Sequence, residues 1–400
     1  MRSSPSSVIV VGMADAASGF GRVTRHIIRA LAPAYRVHTY LHGAPGGASD
    51  ASTAQLEHHA PRCHGGDRYG VRELARIINQ IGPRFVLFIH DLPFIRYQLQ
   101  VRRLLERRVP LVAHAALDGA VHKRRKLIST LACLDLCVWL TDFAREHVAQ
   151  VCAEQPSLLP RPLAQAVIGH GVDTRVFRPI PDARAQAFPQ LPAGAFVVMN
   201  ANRASSRKRL DLTLEGFAAF ARDKPAAVYL YLHLPRAPAW TRAQVERDAA
   251  RLGIGNRLML GEGTVDEQHL ARIYSACDVG VNTSEGEGWG LVSCEHGATG
   301  VAQIVPAHTS HPEIWGDAAL YLDAGQPRGG RAEPVWRRPI EPGRLSHALE
   351  RLYVEPRLRE QMAQRARARM SHPAFSWDAV EAQWRDRLTR FDARQQRDVG

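Results

Sequence analysis

The 400-residue chain is too long for one ordinary hydrophobic core and suits two domains. Its 45% hydrophobic and 23% charged content is that of a globular chain. No apolar run approaches the roughly 18 residues of a membrane span. The formal charge of +13 is concentrated early: residues 1–180 hold 23 Lys/Arg against 13 Asp/Glu. Such a balance attracts anions, whether nucleic acid, an anionic membrane face or a phosphorylated small molecule. The basic clusters Arg102, Arg103, Arg107, Arg108 and Lys123–Lys126 have few aromatic neighbours, so no nucleic acid is expected. Met1–Gly12 is too short and too polar for a signal peptide, which points to a cytoplasmic protein. The six cysteines are scattered without metal-ligand spacing, and no metal or cofactor is assigned.

In chain order, Val8–Val11 reads as a buried parallel strand, followed by a loop Gly12–Gly21 that ends in Gly19-Phe-Gly21 and a helix over Val23–Leu31. A dinucleotide fingerprint would need a third glycine and an acid in the next strand, Val37–Leu41, and neither is present. Gly43–Tyr69 reads as loop. Val71–Ile81 reads as helix, Phe85–Ile89 as a strand ending in His90-Asp91, and Ile95–Arg107 as helix. Leu111–Ala113 is a strand leading to His114, Ala116 and Asp118, and Leu136–Leu140 is another, followed by a helix capped by Thr141 or Asp142. Alternating strands and helices imply a parallel sheet covered on both faces.

A Pro-rich tract, Pro179–Pro192, reads as a linker, after which a second series begins at Ala195–Met199. Further strands are expected at Val228–Leu232, Leu258–Leu260 and Val279–Val281. Ala324–Glu341 lacks periodicity and reads as a surface loop. The tail reads as helices over Leu345–Tyr353, Leu358–Met370 and Trp377–Phe391. The domains are therefore expected at 1–178 and 195–375, joined by 179–194, with 376–400 as a last helix.

The stretch Asp278–Pro306 stands out as strand, glycine-rich turn, helix and strand, the layout of a phosphate-binding unit. Gly286, Gly288 and Gly290 occupy the turn, and Glu287 and Glu295 bracket it. The backbone amides of Trp289, Gly290, Leu291 and Val292 lie at a helix start, which favours a negatively charged oxygen. Amides for phosphate and carboxylates for hydroxyls together suit a nucleotide sugar. Upstream, Arg203 and Lys208 stand five residues apart after a strand, where both can reach one phosphate.

The run Glu287-Gly-Trp-Gly-Leu-Val-Ser-Cys-Glu295 resembles the E-G-F-G-L-x-x-x-E motif of retaining GT-B glycosyltransferases, family 4 in particular, with Trp289, His296, Gln303 and Ile304 as departures. Val167–Pro179 resembles the N-G-V-D-x-x-x-F-x-P signature of that family, with His170 in place of Asn. Arg203–Lys208 resembles its R-x-x-x-x-K signature, and His311–Asp317 its P-E-x-x-G-D segment.

The resemblance implies two Rossmann-like domains with parallel sheets facing across a cleft, and a C-terminal helix crossing back to the first domain. It implies sugar transfer from a UDP- or GDP-sugar to a hydroxyl acceptor, a sugar or glycolipid for instance, with retention and without a metal. Donor binding would fall to Gly19, Gly21, Arg203, Lys208, Glu287, Gly288, Trp289, Gly290, Leu291, Val292 and Glu295. Arg203 and Lys208 would hold the diphosphate, Glu287 sugar hydroxyls and Glu295 the ribose. The first domain would supply Asp118 or His90 at the reacting centre, with His114 a further candidate. Glu313 is read as mainly structural. Substitution of Lys208 or Glu295 by Ala is expected to weaken turnover while leaving the fold intact. The basic N-terminal half leaves room for peripheral contact with an anionic membrane. The competing reading is a non-catalytic basic protein that binds nucleic acid or such a membrane.

Overall fold

In the computed structural model the described residues are 5–15, 18–43, 56–63, 65–159, 161–235, 237–261, 263–326 and 335–397. Parts of five stretches read from the sequence fall outside them: residues 1–4 of the start Met1–Gly12, 16 and 17 of the first glycine loop, 44–55 and 64 of the expected loop Gly43–Tyr69, 327–334 of the expected loop Ala324–Glu341, and 398–400 of the expected last helix. Two compact units are present. The first comprises residues 1–117, 121–170 and 377–400, and the second comprises residues 118–120 and 171–376.

The first unit holds a seven-stranded sheet: β1 (Ser7–Met13), β2 (Arg36–His42), β3 (Leu56–His59), β4 (Val86–Asp91), β5 (Leu111–Ala116), β6 (Leu136–Trp139) and β7 (Ala164–Val167). The order is β3-β2-β1-β4-β5-β6-β7, with every pairing parallel. Val8, Ile9, Val10 and Val11 are all fully buried, which is why the central strand reads as an unbroken apolar run. Helix α1 (Gly19–Leu31) is capped by Ser18, whose hydroxyl accepts from the Gly21 amide at 3.0 Å. The thiols of all six cysteines are free.

Two expectations need correction here. The four-residue strand β3 lies inside the stretch read as loop. It is an edge strand that pairs through its backbone with β2, and its Leu-Glu-His-His sequence carries no apolar run to announce it. The helix expected over Ile95–Arg107 is instead α2 (Leu92–Gln98), followed by a 3₁₀ segment over Leu99–Arg103. The Asp91 carboxylate accepts from the Phe94 amide at 3.2 Å and starts the helix three residues earlier than the apolar period suggests.

The last helix, α3 (Trp377–Arg397), belongs to the first unit, so the chain returns there after completing the second. Its buried face is Trp377, Val380, Trp384, Leu388 and Phe391. His26 stacks on Trp377 with ring centroids 3.9 Å apart and meets Glu381 at 2.7 Å, and Arg84 donates to Asp392 at 2.8 Å.

The second unit holds six parallel strands: β8 (Phe196–Asn200), β9 (Val228–His233), β10 (Leu258–Gly261), β11 (Val279–Val281), β12 (Ala302–Pro306) and β13 (Leu320–Leu322). Their order is β10-β9-β8-β11-β12-β13. The order reverses direction between β8 and β11, the switch point where open parallel sheets bind ligands at the strands' carboxyl ends. The Pro-rich stretch before β8 carries a short helix, Ala183–Ala187, and both Ala183 and Phe188 are buried in a core cluster of this unit.

Candidate active site

The loops leaving β8 and β11 carry most of the residues singled out in the C-terminal half. After β8 the chain runs through a buried Asn200 and Asn202 into a 3₁₀ turn, Ser206–Lys208. After β11 it runs through Asn282–Ser284, all buried, into the glycine turn and helix α4 (Leu291–Ala298). A chain of side-chain hydrogen bonds ties the two loops together. Asn200 donates to Thr213 Oγ1 at 2.9 Å, Thr213 meets Thr283 at 2.8 Å, and Thr283 donates to the Lys208 carbonyl at 3.0 Å.

Lys208 and Glu287 meet directly. The ammonium donates to Glu287 Oε1 and, at 2.7 Å, to Asn202 Oδ1. Arg207 donates to Glu287 Oε2 at 2.5 Å, and its guanidinium lies 3.1 Å from the Asp118 carboxylate. Arg337 reaches the same Asp118 oxygen at 3.1 Å. The result is an alternating row of charges: Lys208, Glu287, Arg207, Asp118, Arg337. Burial lowers the Lys208 pKa to about 8, against the opposing pull of Glu287. Burial also works against the Glu287 charge, but Lys208 and Arg207 hold that carboxylate well below its usual range. Both groups are therefore ionised at pH 7.

Arg203 is exposed on the same loop, and its charge adds to the lowering of Lys208. Glu295 is buried on α4, 4% exposed. Gly290 has φ +101°, a conformation that side chains resist, and it stands immediately before the helix. Gly290, Leu291 and Val292 are half-buried at that start. Gly286 has no room for a side chain, because a Cβ there would run into the Asp118 carbonyl oxygen. Glu287 and Trp289 are held from behind: the Glu287 amide donates to Thr309 Oγ1 at 3.1 Å, and Ser310 Oγ donates to the Trp289 carbonyl at 3.1 Å. Glu313 is exposed, and its backbone carbonyl accepts from Arg369 at 3.0 Å.

The family departures at His296 and Gln303 have a packing reason. His296 stacks on Tyr274 with ring centroids 4.7 Å apart. With Gln303 it fills the space over Gly280, where a Cβ would collide with both side chains. Burial holds His296 neutral, with a pKa near 3.

The sequence reading passed over Arg207, Asn202, Arg337 and Thr309. Arg207 was legible as a base beside Lys208. Asn202 lies on the same loop six residues before Lys208, whereas Thr309 and Arg337 needed the fold, since they reach the site from beyond β12.

In the first unit, Gly19, Gly21 and His90 gather at the corresponding switch point, between β1 and β4. His90 lies between Phe20 and Phe94, with ring centroids at 4.6 and 4.1 Å, and its Nδ1 is 2.8 Å from Asp91 Oδ1. His114 is not at that switch point. It is buried on β5, its Nδ1 meeting the Val138 carbonyl at 3.1 Å and its Nε2 meeting His170 Nε2 at 3.2 Å. Asp118 falls in the second unit. Three basic residues of the first unit are engaged locally: Arg161, Arg108 and Arg102 surround Asp135 at 2.7, 2.9 and 3.6 Å.

No protein-family model matches the chain. Among curated proteins, the D-inositol 3-phosphate glycosyltransferase of Segniliparus rotundus is 25% identical over 249 residues, which cover 62% of this chain and 50% of that protein. The chain spans half or less of the length of the curated relatives it matches. Among solved structures, sucrose-phosphate synthase from Thermosynechococcus elongatus superposes with a TM-score of 0.77 at 18% identity, covering 97% of this chain and 99% of the other. The Anabaena protein HepE, solved with UDP-glucose, gives 0.71 at 16% identity over 96% and 99%. The structural neighbours are GT-B glycosyltransferases, and the chain shares their fold.

Proposed function

We propose that this chain is a GT-B glycosyltransferase that moves a sugar from a nucleoside diphosphate to a hydroxyl acceptor. The observation that carries this reading is the convergence of Lys208, Arg207, Glu287 and the α4 amides on the two loops at one switch point. Cations and a helix start suit a diphosphate, and a fixed carboxylate suits sugar hydroxyls. Arg203 and Lys208 hold the diphosphate, and Glu287 the donor sugar. Glu295 holds the ribose, and Leu291 and Val292 offer amides. UDP is favoured over GDP as the nucleotide, because HepE was solved with UDP-glucose.

In the transfer, the bond from the anomeric carbon to the diphosphate oxygen breaks and a bond to the acceptor oxygen forms on the same face. The acceptor proton passes to the departing diphosphate. The negative charge that develops there is met by the fixed cations of Arg203 and Lys208, so the barrier falls without a bound metal. Asp118 acts by aiming Arg207 at Glu287. The acceptor class we favour is a phosphorylated polyol or sugar. The relatives include a D-inositol 3-phosphate glycosyltransferase and a sucrose-phosphate synthase, and residues 1–180 carry the excess of positive charge.

Thermal shift against UDP, GDP, ADP and their glucose conjugates tests the donor, since a ligand raises the melting temperature by its mass-action term. UDP and UDP-glucose are expected to stabilise the protein, and inositol 3-phosphate or a hexose phosphate to trigger UDP release. A protein unmoved by every nucleotide, yet retained on DNA or on anionic vesicles in a salt-dependent way, would instead be the basic binding protein.

A further inference from the structure

A side-chain cluster in the first unit is not used by the chemistry described above. At the outer edge of the first sheet, β2 and β3 run parallel with His38 opposite Glu57 and Tyr40 opposite His59. Residues 57 and 59 are two apart on β3 and share one face of the sheet. His38 Nδ1 stands 3.2 Å from Glu57 Oε2 and 3.3 Å from His59 Nε2. One ligand atom from each of the three residues lies within 4.8 Å of the others. When a divalent metal sits tetrahedrally with bonds of about 2.0–2.1 Å, its ligand atoms are separated by about 3.3–3.4 Å. The two measured separations are close to that tetrahedral edge.

The surroundings complete a metal site's usual outer support. The other ring nitrogen of His38, Nε2, is 3.2 Å from Ser7 Oγ on β1, which orients the ring. His38 is 4% exposed, His59 is half-buried and Glu57 is exposed, so the cluster is closed on the His38 side and open to solvent at Glu57. Arg36, 3.6 Å from Glu57, is the cation that a metal would displace from the carboxylate.

We propose that His38, Glu57 and His59 form a binding site for a divalent transition metal of the zinc class, with water at the open position, that clamps the short edge strand β3 to β2. Two imidazoles and one carboxylate select Zn²⁺, Co²⁺ or Cu²⁺ over Mg²⁺ and Ca²⁺. The site stands near the amino end of β2, away from the strand ends where substrates bind, so its role is structural. A four-residue strand has few backbone bonds of its own, and a metal adds what the sequence Leu-Glu-His-His does not supply.

The test uses the full chain without a polyhistidine tag, titrated with Co²⁺ and followed by ligand-field absorption, with Zn²⁺ as competitor. One saturable equivalent with a four-coordinate spectrum is expected, displaced by Zn²⁺. His59→Ala and Glu57→Gln, both on the accessible side, are each expected to weaken binding more than about tenfold while leaving the metal-free melting temperature unchanged. Ser7→Ala should weaken it less. Absence of saturable binding, a six-coordinate spectrum, or an affinity in both variants equal to that of the unsubstituted protein would overturn the site and leave a hydrogen-bonded histidine pair.

Discussion

At the scale of single residues, Lys208 ties stability to chemistry. It is buried against Glu287, so the variant Lys208→Ala leaves a buried carboxylate with Arg207 as its one ion-pair partner among the described residues. Removing one member of a buried ion pair costs about 3–5 kcal/mol, so this variant is expected to melt several degrees lower as well as to lose turnover. The sequence alone suggested an intact fold. Arg203→Ala offers the cleaner test. Arg203 is exposed, so its loss should raise the KM for the nucleotide sugar with no change in melting temperature. The pKa of about 8 at Lys208 predicts an alkaline limb. The ammonium is present below that value and is lost as pH rises through it, so kcat/KM, which reports the free enzyme, should fall above about pH 8. Lys208→Arg, whose cation persists at every accessible pH, should flatten that limb in whatever activity it retains.

At the scale of elements, the unit from β11 through α4 to β12 combines local sequence logic with packing that is local nowhere. Gly290 before α4 follows from the positive φ that the turn demands. Gly280, by contrast, has an ordinary backbone, and its smallness is imposed by His296 on α4 and Gln303 on β12. Gly280→Ala is therefore expected to destabilise by about 1–3 kcal/mol through overpacking. The double variant Gly280→Ala/Gln303→Ala should recover part of that loss, read by urea denaturation as a non-additive pair. Strand β3 shows the converse case. Edge pairing needs only backbone, so Leu-Glu-His-His could not be recognised as a strand from its own residues.

At the scale of the whole molecule, the return of α3 to the first unit makes the C-terminus part of the N-terminal core. Trp384 is 1% exposed and meets His114 edge-on at 4.8 Å. Trp384→Ala is expected to cost about 3–5 kcal/mol, read in the first unit as earlier loss of protection from hydrogen exchange. The second unit's sheet, and with it nucleotide binding by thermal shift or calorimetry below the melting range, should persist. No described helix is long and apolar enough to cross a membrane. Asp135, ringed by Arg102, Arg108 and Arg161, shows that basic residues clustered in sequence can serve an internal ion-pair network.

The sequence by itself determined the α/β class, the central strands and the glycine turn that ends at Gly290, because buried parallel strands are apolar throughout and the left-handed backbone there favours glycine. It also singled out Lys208 and Glu287, since each lies in the loop that leaves a strand at the switch point. Only the tertiary structure decided that these two residues meet each other in a buried pair. The same holds for Asp118, aligned by Arg207 and Arg337 in the second unit, and for Thr309, which holds the glycine turn. Those relations join residues separated by tens to hundreds of positions. The physical reason is that periodicity reports which face of an element is buried, whereas charge pairing depends on which loops the sheet order brings side by side.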